Sequence, residues 1–359
     1  MTLSKKSKIL IISGLAVLLA GTIVFFFLRE HHRSDDGNSR KAEVEDNRQA
    51  RREVDKIADT LQVEVLRYDR DLFVMDRNRI PEELRRLTVK YPRFIDSTAW
   101  RDPRYVRQIT DFLNDTYIQE IHRDVEKAFP NLDTAEAQLK SALSIYKYYF
   151  PDAQLPVLYG VVAGIDPSAP FVLYVDNEII INLDWYLGRN YKYYKDYRIP
   201  QYIREECERK YIPLDCFRRA IAYRHLPPKT PVTLLDYMIE EGKIVYFTEL
   251  MFPETPVADV IGYSDEKFEW AQKYQADVWN YLIENDLLFS KDEEPIRRLV
   301  QEAPFSNPFK NSPGRIGAFI GWRIIVDYME KHPEISLNQL MQETNSRTIL
   351  DKSGYKPLK

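Results

Sequence analysis

Two residues of this 359-residue chain stand where hydrolytic chemistry is commonly built: His225 and Glu241. His225 closes the run Ala220-Ile221-Ala222-Tyr223-Arg224-His225, before a proline-containing break. Glu241 lies in Ile239-Glu240-Glu241-Gly242-Lys243-Ile244-Val245-Tyr246-Phe247, a run that reads as helix. A helix that holds zinc offers two His four residues apart on one face, with a Glu beside the first as general base. A third ligand then comes from the next helix. In that frame His225 takes the second His position and Glu241 the third-ligand position. Ile221 and Ala222 occupy the places of the first His and the base. The five histidines are His31, His32, His122, His225 and His332, and no two are four apart.

This layout resembles a glutamate zincin whose ligands have been lost. The resemblance implies a zincin-like core and a relict cleft holding His225 and Glu241, with no metal, no other cofactor and no catalytic residue. Read without it, His225 is a cation at a helix C-terminus, where it meets the helix dipole. Glu241 is then a carboxylate paired with a nearby Arg or Lys. Gly242 costs a helix interior up to about 1 kcal/mol, so its place points to close packing. Gly317 and Gly321, four apart in Ser312-Pro313-Gly314-Arg315-Ile316-Gly317-Ala318-Phe319-Ile320-Gly321-Trp322, form a flat face for another helix to approach. The Gly242 helix is the expected partner. Ser312 is expected to cap that helix and Pro313 to start it.

A second group is aromatic. Trp185 and Tyr186, with Tyr191 and Tyr193 in Asn190-Tyr191-Lys192-Tyr193-Tyr194, read as a loop after a β-hairpin. With Arg315 they are the candidate binding surface for a partner, peptide or sugar; packing over a sheet edge is the competing reading.

The elements around these residues read as α+β and mainly helical. Strand signals fall in Pro156–Gly164, Phe171–Val175 and Glu178–Leu183, with Asp176-Asn177 as a tight turn, so a small antiparallel sheet is expected. Val63–Phe73 reads as extended. Helices are expected on either side of the sheet, among them 201–210, 214–225, 232–251, 265–285 and 295–302. Others follow from Pro313 and from Ser336, whose Ser-x-x-Gln spacing is that of a capping box.

Residues 1–8 read as a cytoplasmic N-terminus. Residues 9–28 are uncharged and apolar, long enough to span about 30 Å of bilayer core. Lys5, Lys6 and Lys8 precede them, which orients the body outward. Val24–Leu28 is bulky and gives no signal-peptidase site, so a single-pass anchor facing the periplasm is expected in preference to a cleaved signal. No Cys precedes Cys207, so an N-terminal Cys does not carry a lipid. Residues 29–62 read as a polar tether and charged stalk helix with Val54, Ile57, Ala58 and Leu61 on one face. Residues 63–359 read as one soluble domain. Cys207 and Cys216 form a disulfide or stand as isolated thiols. A net charge of −4 gives no basic field for nucleic acid.

Several short runs, in order along the body, carry a second resemblance. They are Tyr68-Asp69-Arg70-Asp71-Leu72-Phe73, Trp100-Arg101-Asp102-Pro103-Arg104-Tyr105, Tyr148-Tyr149-Phe150-Pro151 and Leu183-Asp184-Trp185-Tyr186-Leu187-Gly188. Pro200-Gln201-Tyr202, Met238-Ile239-Glu240-Glu241-Gly242-Lys243 and the Ser312–Trp322 run complete the set. Together they resemble the gliding-motility lipoprotein family GldB. The resemblance implies a non-catalytic cell-envelope protein tied to gliding motility and its secretion machinery. Its partners would be the membrane, through residues 9–28, and envelope or gliding-machinery proteins. An atypical zinc metallopeptidase, and a binder of cell-wall glycan or peptide in the relict cleft, are the alternatives.

Overall fold

The computed structural model describes residues 39–228 and 230–357, with side chains from residue 48 onward. The apolar segment 9–28, its flanking lysines and residues 29–38 lie outside the described residues. No helix among the described residues is long and apolar enough to cross a membrane. The expected stalk helix starts earlier than its charge pattern suggests, spanning Ser39–Thr60 and so taking in part of the polar tether. Val54, Ile57 and Ala58 are its half-buried stripe, as their helical spacing requires, and Leu61, also half-buried, follows just past its end.

From Val63 onward the sequence reads as one domain, but the packing divides the chain into two compact units interleaved in sequence. Among the described residues, one unit comprises 63–138 and 154–216; the other comprises 39–62, 139–153, 217–228 and 230–357.

The first of these carries the sheet. Its four strands are β1 (Val65–Arg67), β2 (Val157–Val161), β3 (Val172–Val175) and β4 (Glu178–Asn182), in the order β1-β2-β4-β3. The expectation of an antiparallel sheet holds only for β3 and β4, joined by Asp176 and Asn177 at φ 47° and 65°, the left-handed values a tight hairpin turn needs. β1 and β4 both pair with β2 in parallel, so the sheet is mixed. β1 is three residues long, too short for alternation to reveal it. The rest of the expected extended segment, Tyr68–Phe73, is a turn and a half of helix. Leu72, Leu84, Leu87, Tyr91, Ile95, Leu113 and Tyr159 form a core in this unit.

The other unit is built on two helices, Leu234–Met251 and Ile316–Lys331. Thr233 and Asp236 close a capping box at the start of the first. A Cβ placed on Gly242 would collide with the backbone of Gly321, and one on Gly321 with the carbonyl of Met238. A Cβ on Gly317 would come within 2.9 Å of the Leu299 carbonyl oxygen and 3.2 Å of the Met238 side chain. Gly242 and Gly321 therefore let the two backbones meet. Gly317 makes room instead for the helix Glu293–Val300. The expected 295–302 helix thus begins and ends slightly earlier.

The expected 201–210 helix is only Gln201–Arg204. The expected 214–225 helix is three pieces: an α-turn Tyr211–Cys216, a π-helix Phe217–Ile221 and a 3-10 turn Ala222–His225. Ser336 and Gln339 do form a capping box, ahead of Leu337–Gln342. Cys207 and Cys216 are both buried, with no disulfide between them.

Candidate binding cavity

The Ser312 cap is replaced by a different device. The Ser312 hydroxyl donates to the Phe309 carbonyl at 2.8 Å and accepts the Ser306 N–H at 2.9 Å, which fixes the loop ahead of the helix. The helix then starts at Ile316, and Arg315 takes the N-cap position at φ 55°, a left-handed conformation uncommon for a residue with a side chain. The Tyr263 hydroxyl reaches the carbonyls of Gly314 and Arg315 at 2.8 and 3.0 Å and holds this corner. The π-helix Phe217–Ile221 is the second backbone irregularity of this unit; such segments are frequent at functional sites. It carries Arg218 and Arg219.

Both irregularities deliver arginines to one cavity of about 310 Å³. Arg218, Arg219, Arg315, Glu241, Glu302 and Tyr223 supply its polar lining. Ile244, Val245, Val260, Ile296 and Val300 supply apolar wall. Arg315 donates to Glu241 at 2.6 Å, and the Tyr223 hydroxyl donates to the other Glu241 oxygen at 3.3 Å. Arg219 pairs with Glu302 at 3.2 Å, and Arg218 donates to the Val260 carbonyl at 3.4 Å. Partial burial pushes the Glu302 carboxyl up. Arg219, Arg315 and Arg218 more than reverse this and hold it below the usual carboxylate range. Glu302 stays about one-third exposed (35%), at the mouth of the cavity.

Glu241 is therefore the paired carboxylate of the plainer reading, and its partner is Arg315. His225 is not the helix-end cation. Its Nε2 lies 3.0 Å from the Tyr146 hydroxyl, and its ring packs against Phe150 and Phe247. Burial, with a smaller push from Arg224, lowers its pKa to about 4, so it is neutral at pH 7. His225 and Glu241 have separate partners and belong to no common ligand set among the described residues. The sheet, moreover, lies in the other unit. The zincin-like core is thus unsupported: the two residues in its ligand positions are engaged elsewhere, one by an arginine and one by aromatic rings.

The aromatic loop divides. Trp185 and Tyr186 are buried, stacked or edge-on to Phe171, and Tyr186 donates to Asp215 at 2.8 Å. They pack the interior of their unit and offer no surface. Tyr191 and Tyr193 are half-buried, with hydroxyls bonded to Asp124 at 2.9 Å and Glu120 at 2.7 Å.

A constellation the sequence reading passed over lies in the sheet-bearing unit. Arg67 grips Asp69 through two bonds of 2.9 and 2.7 Å, and Glu126 accepts from Arg67 at 2.6 Å and from Arg70 at 3.0 Å. His122 stacks on Phe73 with ring centres 3.9 Å apart, its Nε2 4.0 Å from Asp69. Asp69, His122 and Glu126 place one ligand atom each within 4.8 Å of one another, the only such group among the described residues. A cation there would have to expel two guanidinium groups, so the cluster fits an ion-pair network better than a metal site. The charge alternation of Arg67-Tyr68-Asp69-Arg70-Asp71 was the available signal. It could not reveal Glu126, which lies on another helix. Asp184, fully buried, accepts the N–H groups of Ala163 and Gly164 through one oxygen while the other has no hydrogen-bond partner. Burial raises its pKa to about 7.

The family described as Gliding motility protein GldB matches residues 47–357. That span covers most of the chain and both compact units, and the chain belongs to this family. No curated protein and no solved structure matches it.

Proposed function

We propose that this gliding-motility-related protein works by binding and not by catalysis, as a membrane-associated envelope component that contacts other envelope proteins through the Arg315–Glu241 cavity. The observation that carries this reading is the Arg315–Glu241 ion pair at 2.6 Å. It engages the carboxylate that stands at a ligand position, and it does so on the wall of an open cavity. Two backbone irregularities converge on that wall, and such departures cost free energy that a purely structural corner has little reason to bear. Family membership supports the envelope setting. The segment 9–28 is the proposed anchor, with the body on the periplasmic side.

The test uses the full chain in its own cell, with a photo-crosslinking amino acid in place of Tyr223, which is 45% exposed at the cavity. Illumination is expected to give one adduct with an envelope protein, identified by mass spectrometry and lost when Arg315→Ala is added. Absence of any illumination-dependent adduct contradicts the reading. So does one zinc per chain in the purified body that disappears in Glu241→Ala, which would restore the metallopeptidase alternative.

A further inference from the structure

We infer that the cavity lined by Arg218, Arg219 and Arg315 is a carboxylate-recognition site, and that Glu302 is the built-in carboxylate which a ligand replaces. The inference rests on the binding reading above and names what is bound.

Guanidinium groups are planar forks that match carboxylates, and both acidic groups of this lining are already bonded to one. Glu241 sits on the wall, 18% exposed, held by Arg315 and Tyr223 at once. Glu302 differs in three ways. It belongs to the irregular stretch that follows the helix Glu293–Val300. It is twice as exposed, at 35%. Arg219 engages it at 3.2 Å, against 2.6 Å for Arg315 on Glu241. It is thus the carboxylate an incoming one can displace with least loss, and Arg219 passes from one acceptor to another with its charge satisfied throughout. The π-helix and the left-handed corner set where the arginines leave the backbone, and Glu241 and the Val260 carbonyl already hold the Arg315 and Arg218 side chains, so little side-chain ordering remains to oppose binding. Ile244, Val245, Val260 and Ile296 beside them suit an aliphatic side chain next to the bound carboxylate. The ligand class is therefore a peptide carboxylate, with an aliphatic neighbour, from a partner protein.

Isothermal titration of the full chain in detergent micelles tests this with three short probes. Acetyl-Ala-Val with a free C-terminus, the same peptide as its amide, and acetyl-Glu-Val-amide separate a chain terminus from an acidic side chain. One or both carboxylate probes are expected to bind, and the neutral amide is not. Glu302→Gln is expected to tighten binding about tenfold, the scale of one charge-assisted hydrogen bond no longer contested. Arg219→Gln is expected to weaken it by a similar factor. Tightening is the decisive sign, because damage to the fold does not produce it. Equal binding of acid and amide overturns the inference, as does no binding to either the wild-type chain or Glu302→Gln. Failure here with a cellular adduct at Tyr223 removes the carboxylate inference and leaves the binding reading. Peptide binding without an adduct does the reverse.

Discussion

The two compact units each hold arginines against carboxylates, with different results. In the sheet-bearing unit, Arg67 and Arg70 enclose Asp69 and Glu126, and the Asp69 side chain has no exposed surface. In the other unit, Arg219 and Arg315 pair with Glu302 and Glu241 around about 310 Å³ of open space, and every partner keeps some exposure. The residue types are the same, and burial decides the role. A closed pair of this kind fixes local geometry, because removing one partner strands a buried charge. An open pair beside apolar walls can exchange one carboxylate for another.

The largest expected effect sharpens this contrast. Asp69→Ala removes both bonds that Asp69 accepts from Arg67 and leaves the guanidinium to Glu126 and the Phe129 carbonyl; urea unfolding is expected to show a loss of roughly 3–5 kcal/mol, the scale of two charge-assisted hydrogen bonds. Glu302→Gln, at the open pair, is expected to change stability by under about 1 kcal/mol. Equal losses at the two sites would erase the distinction.

Next comes the helix pair that frames the cavity. Gly321→Ala forces a Cβ into the Met238 carbonyl, and Gly242→Ala forces one into Gly321. Each is expected to cost about 3 kcal/mol, the upper part of the overpacking range, because backbone and not a flexible side chain must move. Gly317→Ala, facing one carbonyl at 2.9 Å, is expected to cost less. An unchanged melting temperature in Gly321→Ala would refute the close approach.

These glycines show what the sequence could and could not convey. A glycine inside an apolar helix has a cost that only close packing explains, so the partnership of Gly242 with Gly321 was readable from spacing. Glu241 needing a basic partner was readable too; that the partner was Arg315 was not, because 74 residues separate them. The mixed sheet was hidden for a similar reason, since parallel pairing is set by a distant strand and β1 is too short to show a period. The zincin expectation finds no support in the structure because it rested on two residues in sequence register. Register says nothing about what each side chain meets once Tyr146, Phe150 and Phe247 surround one, and Arg315 and Tyr223 hold the other. The cavity had no sequence signature, because the π-helix and the left-handed Arg315 are backbone states with no residue code of their own.

The smaller effects concern pH, with opposite signs in the two units. Asp184 has its pKa raised from 3.8 to about 7, so the folded chain keeps a proton that the unfolded chain releases. Its contribution to stability is full below about pH 4 and falls as pH rises through 7. His225 has its pKa lowered from 6.5 to about 4, so its contribution is full above 6.5 and is lost as pH falls toward 4. Across pH 4 to 6.5, melting temperature relative to wild type is expected to rise with pH in Asp184→Asn. In His225→Phe the same difference is expected to fall with pH. Parallel profiles in the two variants would contradict the assignment of a buried acid to one unit and a neutral histidine to the other.

A carboxylate that enters the cavity must touch its apolar wall, and methyl-labelled NMR of the full chain in detergent micelles detects that contact. Resonances of Ile244, Val245, Val260 and Ile296 are followed as acetyl-Ala-Val, acetyl-Glu-Val-amide and the neutral acetyl-Ala-Val amide are added in turn to the wild-type chain and to Glu302→Gln. Saturable shifts confined to these methyls are expected with at least one carboxylate probe, absent with the neutral amide and saturating earlier in Glu302→Gln. Shifts centred on the sheet-bearing unit instead, or none at these methyls with either carboxylate probe in either protein, would contradict carboxylate binding in the cavity.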